Sequence, residues 1–208
     1  MELDWAWRRA LEQAWQSFVA GTTPVGAVVV NASGDVVAEG RGRRHESEAS
    51  GRQLAYCHVA HAEINALALL PPVRHYEDHV LLTTLEPCCM CLGAAVQATI
   101  IQLRFAGRDP YGGASHLIMD TPQARRRPLV VTGPLAGLPG RFSELLHMRW
   151  LLDFGASEPV LDEQRRGLPD IWQAAAHPTA TDLFRQLKAD TATMEEAMTA
   201  SEALLPDW

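Results

Sequence analysis

Two short stretches of the chain carry residue types that together can bind a metal ion and move a proton. They are residues 61–63, HAE, and residues 87–91, PCCMC. One imidazole and two thiolates are ligands that zinc prefers, and three protein ligands leave the fourth tetrahedral position open to water. Zinc in such a site lowers the pKa of that water to roughly 7. The predicted cofactor is therefore Zn²⁺, with His61, Cys88 and Cys91 as its ligands.

Glu63 is a carboxylate beside these ligands that need not be a ligand itself. Two thiolates neutralise a zinc ion and weaken its effect on water, so a base that takes the proton is chemically useful. Such a carboxylate can pass the proton to a ring nitrogen and then to departing ammonia. The motif pair H-x-E and P-C-x-x-C is the signature of zinc nucleobase deaminases. We therefore predict that Glu63 is the catalytic residue of a hydrolytic deamination.

The same residues allow a closed structural zinc site as an alternative. Cys57, His58 or Cys89 would then supply the fourth ligand, and the chain would be a non-catalytic, zinc-stabilised interaction subunit. That reading leaves Glu63 without a purpose. Cys89 lies between two predicted ligands, and we expect its side chain to point away from the metal as a small buried group.

The composition is that of an ordinary globular enzyme, with 47% hydrophobic and 21% charged residues among 208. No apolar run reaches the length that spans a membrane, and the acidic start of the chain lacks the features of a signal peptide. A cytoplasmic location without membrane contact is the resulting expectation. Three of the four cysteines lie within residues 88–91, a clustering that indicates metal binding more than disulfides.

Charge is distributed unevenly along the chain. Residues 156–208 contain ten acidic and four basic side chains, a net charge of −6, out of −7 for the whole chain. An acidic surface repels phosphate backbones, so this segment disfavours tRNA as the substrate.

Strand and helix patterns alternate along the chain, which indicates an α/β sheet. Apolar stretches predict five strands, at 25–30, 36–39, 80–84, 100–106 and 128–132. Helical spacing predicts helices at 3–19, 59–70, 88–98, 141–154, 171–176 and 183–205. Residues 156–208 are expected to form an extension that packs on the domain or on a second subunit.

The spacing of the predicted ligands restricts where the metal can lie. Cys88 and Cys91 are three positions apart at a helix start, so both thiols lie on one face. His61 and Glu63 are only two apart and do not share a lateral face. Both can reach one ion if it lies off the end of their helix, because side chains lean toward the helix N-terminus. Two helix starts are therefore expected to converge on the metal.

The chain resembles the cytidine deaminase-like superfamily, and most of all its branch of tRNA adenosine deaminases and bacterial guanine or cytosine deaminases. The resemblance covers about residues 3–155. It is carried by residues 24–30, PVGAVVV; 61–67, HAEINAL; 84–91, TLEPCCMC; and 105–114, FAGRDPYGGA. It implies a three-layer α/β/α fold with a five-stranded mixed sheet, a zinc-dependent deaminase domain over 1–155, and a homodimer. Residues 156–208 would add an acidic C-terminal helical extension.

The resemblance also implies substrate contacts. It brings the backbone at Gly26 and Ala27, and the segment containing Glu86 and Pro87, against the substrate. Two further candidates lie in loops that border the expected pocket, His58 and Asp109. For His58, a loop histidine without a special role is an equally good reading.

Two departures from the family pattern concern the substrate. Residues 39–44, EGRGRR, have no Asn where relatives often use one to contact the substrate, and residues 57–59, CHV, replace the Asp-Pro-Thr that relatives tend to have. The leading prediction is therefore deamination of a small amino-substituted nucleobase, nucleoside or related heterocycle. The alternatives are tRNA adenosine-to-inosine editing and the interaction subunit.

Overall fold

A computed structural model describes residues 4–72, 75–117 and 120–205 of the chain. Its five strands form one sheet in the order β2-β1-β3-β4-β5. β1 is antiparallel to β2 and β3, whereas β3, β4 and β5 are parallel. The predicted five-stranded mixed sheet is thus confirmed. The strands are β1 Gly26–Val30, β2 Val36–Arg41, β3 Val80–Leu85, β4 Gln102–Gly107 and β5 Val130–Thr132.

Helices cover both faces of the sheet, which confirms the predicted three-layer fold. α1 and α5 pack on one face, and α2 and α3 pack on the other. None of the helices in the described ranges is long and apolar enough to cross a membrane. The helices are α1 Trp5–Val19, α2 Ala62–Leu67, α3 Cys89–Gln97, α4 Pro122–Arg126, α5 Leu138–Phe154, α6 Glu158–Gly167, α7 Pro169–Ala176, α8 Pro178–Ala189 and α9 Met194–Glu202.

The alternation of side chains along β1 and β3 separates the two faces. Val28 and Leu82 belong to the apolar cluster with α1, whereas Ala27 and Leu81 belong to the cluster with α2 and α3. These strands are apolar on both faces because both faces are covered. β3 is therefore buried, and the segment that carries Cys88 and Cys91 follows directly after its end.

α1 begins two residues later than predicted. The side chain of Asp4 accepts a hydrogen bond from the amide of Ala6 at 2.9 Å and caps the helix start. Residue 3, where the predicted helix begins, lies outside the described residues.

The helix predicted over 59–70 is wrong at both ends. α2 spans only Ala62–Leu67, and His61 is its N-cap residue, with extended backbone angles of φ −80° and ψ 156°. Before it, residues 57–60 form a turn in which the amide of Ala60 donates to the carbonyl of Cys57. The extended conformation at His61 is what turns this side chain off the end of the helix.

The described part of the extension consists of four helices, of which α7, α8 and α9 contribute buried side chains to one cluster with α1 and α5. The helix predicted over 183–205 is two helices, α8 and α9, separated at Thr191, which has a left-handed φ of 51°. α6 is absent from the prediction, because its mean composition is polar. Side chains of α1, α5, α7, α8 and α9 form one buried cluster that includes Phe18, Phe142, Phe184 and Ala197. The division at residue 155 stays a prediction, although the extension shares its core with the helices of the sheet.

Gly40 determines how closely α2 approaches the sheet. A Cβ atom at this position would lie 2.3 Å from both the carbonyl oxygen of Ala62 and the amide nitrogen of Ala66. Both are backbone atoms of α2 that cannot move aside alone. The backbone of β2 and α2 can therefore be in contact only because residue 40 has no side chain.

We expect Gly40→Ala to lower the free energy of unfolding by about 1–3 kcal/mol, because the added methyl group forces α2 away from the sheet. Denaturant unfolding measures the change. Gly93→Ala is the matched control: a Cβ there meets nothing within 4 Å, and alanine favours a helix by about 0.5–1 kcal/mol. Equal stability of the two variants would contradict the close contact between Gly40 and the backbone of α2.

Candidate active site

Three potential metal ligands converge at one end of the sheet. The Nδ1 atom of His61 lies 3.7 Å from Sγ of Cys88 and 3.6 Å from Sγ of Cys91, and the two sulfur atoms are 3.5 Å apart. Tetrahedral coordination with Zn–S of ~2.3 Å and Zn–N of ~2.0 Å separates ligand atoms by roughly 3.5–3.8 Å. The donor set and its spacing therefore fit a zinc ion.

Two helix starts bring these ligands together, as predicted from their spacing. His61 is the N-cap of α2, Cys88 is the N-cap of α3, and Cys91 lies in the first turn of α3. The amide groups at a helix start carry partial positive charge, which favours the thiolate form of cysteine. The backbone thus supports the form of the sulfur ligands that a metal needs.

The protonation of the metal-free group also favours a thiolate. Hydrogen bonding to Cys91 lowers the pKa of Cys88 to about 4, and hydrogen bonding to Cys88 raises the pKa of His61. For the second cysteine the direction is opposite. Hydrogen bonding to Cys88, together with burial, raises the pKa of Cys91. One thiol proton remains in the pair, so metal binding is coupled to its release.

No fourth ligand joins this group among the His, Cys, Asp and Glu side chains that the structure describes. His58 is exposed, and its Nδ1 lies 3.1 Å from Nη2 of Arg44. Cys57 is half-buried and lies outside the group. Cys89 lies outside the metal group, and it is exposed, so its predicted burial is wrong. A three-ligand site with an open position is the arrangement that catalytic zinc sites have.

Glu63 lies in the first turn of α2, with only 3% of its surface exposed. The hydroxyl of Thr83, on β3, donates a hydrogen bond of 3.1 Å to its Oε1. Burial raises the pKa of this carboxyl. A carboxyl group whose pKa is raised holds a proton more readily, which suits a group that must both accept and return one in general acid–base catalysis.

A cavity of about 460 Å³ opens beside these residues. His61, Glu63 and Cys88 form one part of its wall, and residues of α5 and α6 form the opposite part. Pockets for small ligands measure about 300–1,000 Å³, so this cavity has the size of a small-molecule site. Two of the three predicted metal ligands and the buried carboxylate therefore line one cavity.

Residues 1–106 match the family described as the cytidine and deoxycytidylate deaminase zinc-binding region. The chain belongs to this family. The family assignment confirms the predicted resemblance and zinc as the cofactor, and the group of His61, Cys88 and Cys91 fits it.

Individual relatives have different named activities. The chain is 32% identical over 123 residues to the tRNA-specific adenosine deaminase of Bacillus subtilis, which covers 57% of this chain and 70% of that protein. It is 38% identical over 136 residues to a tRNA(Ile)-lysidine synthase of Deinococcus radiodurans, which covers 64% of this chain and 22% of that protein. The chain thus spans about a fifth of the length of this relative. It likewise spans 20% of the tRNA(Ile)-lysidine synthase of Deinococcus deserti.

A solved guanine deaminase from Nitrosomonas europaea shares the fold of this family member. Its TM-score is 0.50 at 22% identity, over 70% of this chain and 82% of that one. At this identity the likeness concerns the fold alone.

Four of the six predicted substrate contacts of this deaminase-family chain, Gly26, Ala27, His58 and Pro87, are not among the residues that line the cavity. Gly26 packs under α1, where a Cβ would lie 2.0 Å from the carbonyl oxygen of Ala10. Ala27 is fully buried in the core between the sheet and α2. The preceding residues, Thr23 and Val25, line the cavity instead.

Glu86 lines the cavity, but its carboxylate is engaged by the loop after β4. It accepts hydrogen bonds from the amide of Asp109 at 3.3 Å and from the amide and hydroxyl of Ser115. Pro87 is buried, and its carbonyl accepts from the amide of Ala114 at 2.9 Å. In this structure both residues hold the loop over the cavity.

Asp109 also lines the cavity and connects the loop to the extension. Its Oδ1 accepts hydrogen bonds from the amides of Tyr111 and Gly112 and from Nε2 of Gln164, the last at 2.7 Å. Gly167 lies against the same loop, since a Cβ there would be 2.4 Å from Cγ of Pro110. α6 therefore docks directly on the rim of the candidate site.

Sequence reasoning did not find the wall that faces the metal group. The α5 members recur at helical spacing, a pattern that indicates a core-facing stripe as readily as a cavity wall. Only the buried polar side chains, His147 and Gln164, are unusual for a core. The wall residues of α5 and of the extension are His147, Trp150, Leu151, Phe154, Ala156, Ser157, Val160 and Gln164.

We expect Cys88→Ala to bind less than a tenth of the zinc of the parent protein at the same free zinc concentration, because a thiolate ligand is lost. Cys89→Ala is the matched control, since that thiol is adjacent but exposed and outside the metal group. Elemental analysis of the purified variants measures the zinc content. Full zinc occupancy in the Cys88 variant would rule out this ligand.

Proposed function

We propose that the chain is a zinc-dependent aminohydrolase that deaminates an amino-substituted nucleobase, nucleoside or related heterocycle and releases ammonia. The observation that supports this most directly is the position of Glu63, a buried carboxylate that lines the same cavity as the predicted ligands His61 and Cys88. A structural zinc site needs no such carboxylate. Membership in the deaminase family supports the same reaction class.

His61, Cys88 and Cys91 would hold the zinc ion, which supplies a Lewis acid that makes water acidic enough to act as a nucleophile near neutral pH. Glu63 accepts the proton that this water loses. It then donates the proton to a ring nitrogen of the substrate and assists its transfer to the amino group that leaves as ammonia. Water and the amine are consumed, and the carbonyl product and ammonia are formed.

The surroundings of Glu63 prepare it for this role. The hydrogen bond from Thr83 fixes one carboxylate oxygen, and burial raises the pKa of the group so that it can hold a proton between the two transfers. Val25, Leu85 and Leu151 contribute apolar surface to the cavity. In such surroundings the electrostatic interactions are stronger than in water.

tRNA adenosine-to-inosine editing is the second candidate, favoured by the likeness to the Bacillus subtilis enzyme. It would require the target base to be flipped out of its stack into the cavity. The third candidate, a zinc-stabilised interaction subunit, is disfavoured because the described residues offer no fourth His, Cys, Asp or Glu ligand. The homodimer and the cytoplasmic location stay predictions.

We expect Glu63→Gln to keep its zinc and to lower kcat for ammonia release by about 10²–10⁴-fold, because the amide cannot carry the proton. The assay measures ammonia from adenine, guanine, cytosine and their nucleosides, and inosine formation in tRNA. Kinetic constants are then taken on the best substrate.

Glu202→Gln, an exposed change of the same chemistry in α9, is the control and should match the parent protein. Unchanged kcat in the Glu63 variant would reject its catalytic role. Inosine formation in tRNA without turnover of free bases or nucleosides would favour the editing enzyme, and inactivity on all of these substrates would favour the interaction subunit.

A further inference from the structure

Unpartnered polar atoms collect at the cavity. Among the described residues, six buried side-chain polar atoms have no hydrogen-bond partner, and three of these belong to residues that line the cavity. They are Oγ1 of Thr23, Nδ1 of His147 and Oε1 of Gln164. Buried polar atoms in proteins are almost always hydrogen-bonded, so such a group calls for a partner that enters the cavity.

Gln164 is held in one orientation. It is 1% exposed, and its Nε2 donates to Oδ1 of Asp109 at 2.7 Å. Since this bond uses the amide nitrogen, the unpartnered oxygen is an acceptor at the cavity wall. The backbone amide of Asp109 in turn donates to the carboxylate of Glu86, the residue that follows β3. A chain of hydrogen bonds therefore fixes Gln164 relative to the metal group.

His147 is the second buried polar residue of this wall, and it is 8% exposed. Burial lowers its pKa, so the ring is neutral near pH 7 and offers one donor and one acceptor. Its ring stacks on Trp150, which stacks on Phe154 with ring centroids 4.9 Å apart. α5 therefore presents an aromatic surface with a polar group at its inner end.

We propose that His147 and Gln164 select the substrate, and that the substrate is a free amino-purine or amino-pyrimidine base, or a heterocycle of that size, with a ring N–H that donates to Oε1 of Gln164. This proposal rests on the proposed deaminase function. The aromatic surface of α5 suits a flat heterocycle, and the two polar side chains suit its hydrogen-bonding edge.

The charge of the cavity wall favours a free base over a nucleotide or tRNA. Among the described lining residues, Arg44 is the single Lys or Arg, whereas Glu63, Glu86 and Asp109 carry carboxylates. Polynucleotide binding depends on cationic contacts to phosphate. The extension that forms part of the wall has a net charge of −6, from ten acidic and four basic side chains over 156–208.

Point substitutions test this proposal better than removal of the extension. The extension shares a buried cluster with α1 and α5, so a truncated chain would expose apolar surface of both helices. Gln164→Met removes the amide at similar size, and His147→Phe keeps an aromatic ring without its nitrogens. Gln186→Met makes the same chemical change as Gln164→Met on the exposed face of α8 and is the matched control.

The experiment measures binding of adenine, guanine, cytosine, their nucleosides and tRNA to the zinc-loaded full-length chain by equilibrium dialysis, and every protein compared carries Glu63→Gln so that the ligands are not deaminated during equilibration. The parent protein should bind at least one free base at least about tenfold more tightly than its nucleoside and than tRNA. Gln164→Met and His147→Phe should each raise the Kd of that base at least about tenfold, the loss expected for one buried hydrogen bond. Zinc content and the unfolding midpoint should stay at the values of Gln186→Met.

Three results would overturn the proposal: no free base binds, a nucleoside or tRNA binds as tightly as the base, or both variants keep the parent Kd. If one of the two variants unfolds, the Kd of the other still tests the proposal. The comparison of the base with its nucleoside requires neither variant. Selective binding of a base that the chain with its native Glu63 does not deaminate would instead reject the deaminase function while the recognition by His147 and Gln164 stands.

Discussion

The distance between the first turns of α2 and α3 is the constraint on which the candidate site depends. The donor atoms of His61, Cys88 and Cys91 lie 3.5–3.7 Å apart, although they come from two separate helices. α2 is positioned by its backbone contact with β2 at Gly40, and α3 by the short connection from the end of β3. A shift of either helix would change these distances, so the packing of both helices on the sheet sets the geometry of the metal group.

The chemistry of the metal group could be predicted from sequence because it depends on residue types and short spacings. The five strands and most helices were predictable for the same reason, since their apolar periodicity is local. The start of α2 was not, because Val59 and Ala60 fit a helical pattern. His61 has the extended backbone of an N-cap residue, and the other members of its metal group lie 27 and 30 positions away, beyond the range of a local pattern.

The far wall of the cavity could not be predicted, because its partners are distant in sequence. Gln164 contacts Asp109 across 55 positions, and its helix α6 has a polar composition without a motif. Trp150 and Leu151 have the spacing of core residues, and sequence alone does not distinguish a helix that faces a core from one that faces a cavity. Glu86 shows the converse: the family resemblance implies a substrate contact there, yet its carboxylate is hydrogen-bonded to the loop at Asp109 and Ser115.

The shared core of α1 and the last helices has a consequence for how the chain reaches its native state. Nε1 of Trp15 donates to the carbonyl of Ala192 at 2.7 Å, across 177 positions, and Phe18 packs edge-on against Phe184. Contacts between such distant residues slow folding, because the loop between them must close first. During synthesis from the N-terminus, one apolar flank of α1 stays uncovered until α8 and α9 have emerged. Chaperone occupancy and aggregation during translation should therefore concentrate on that flank.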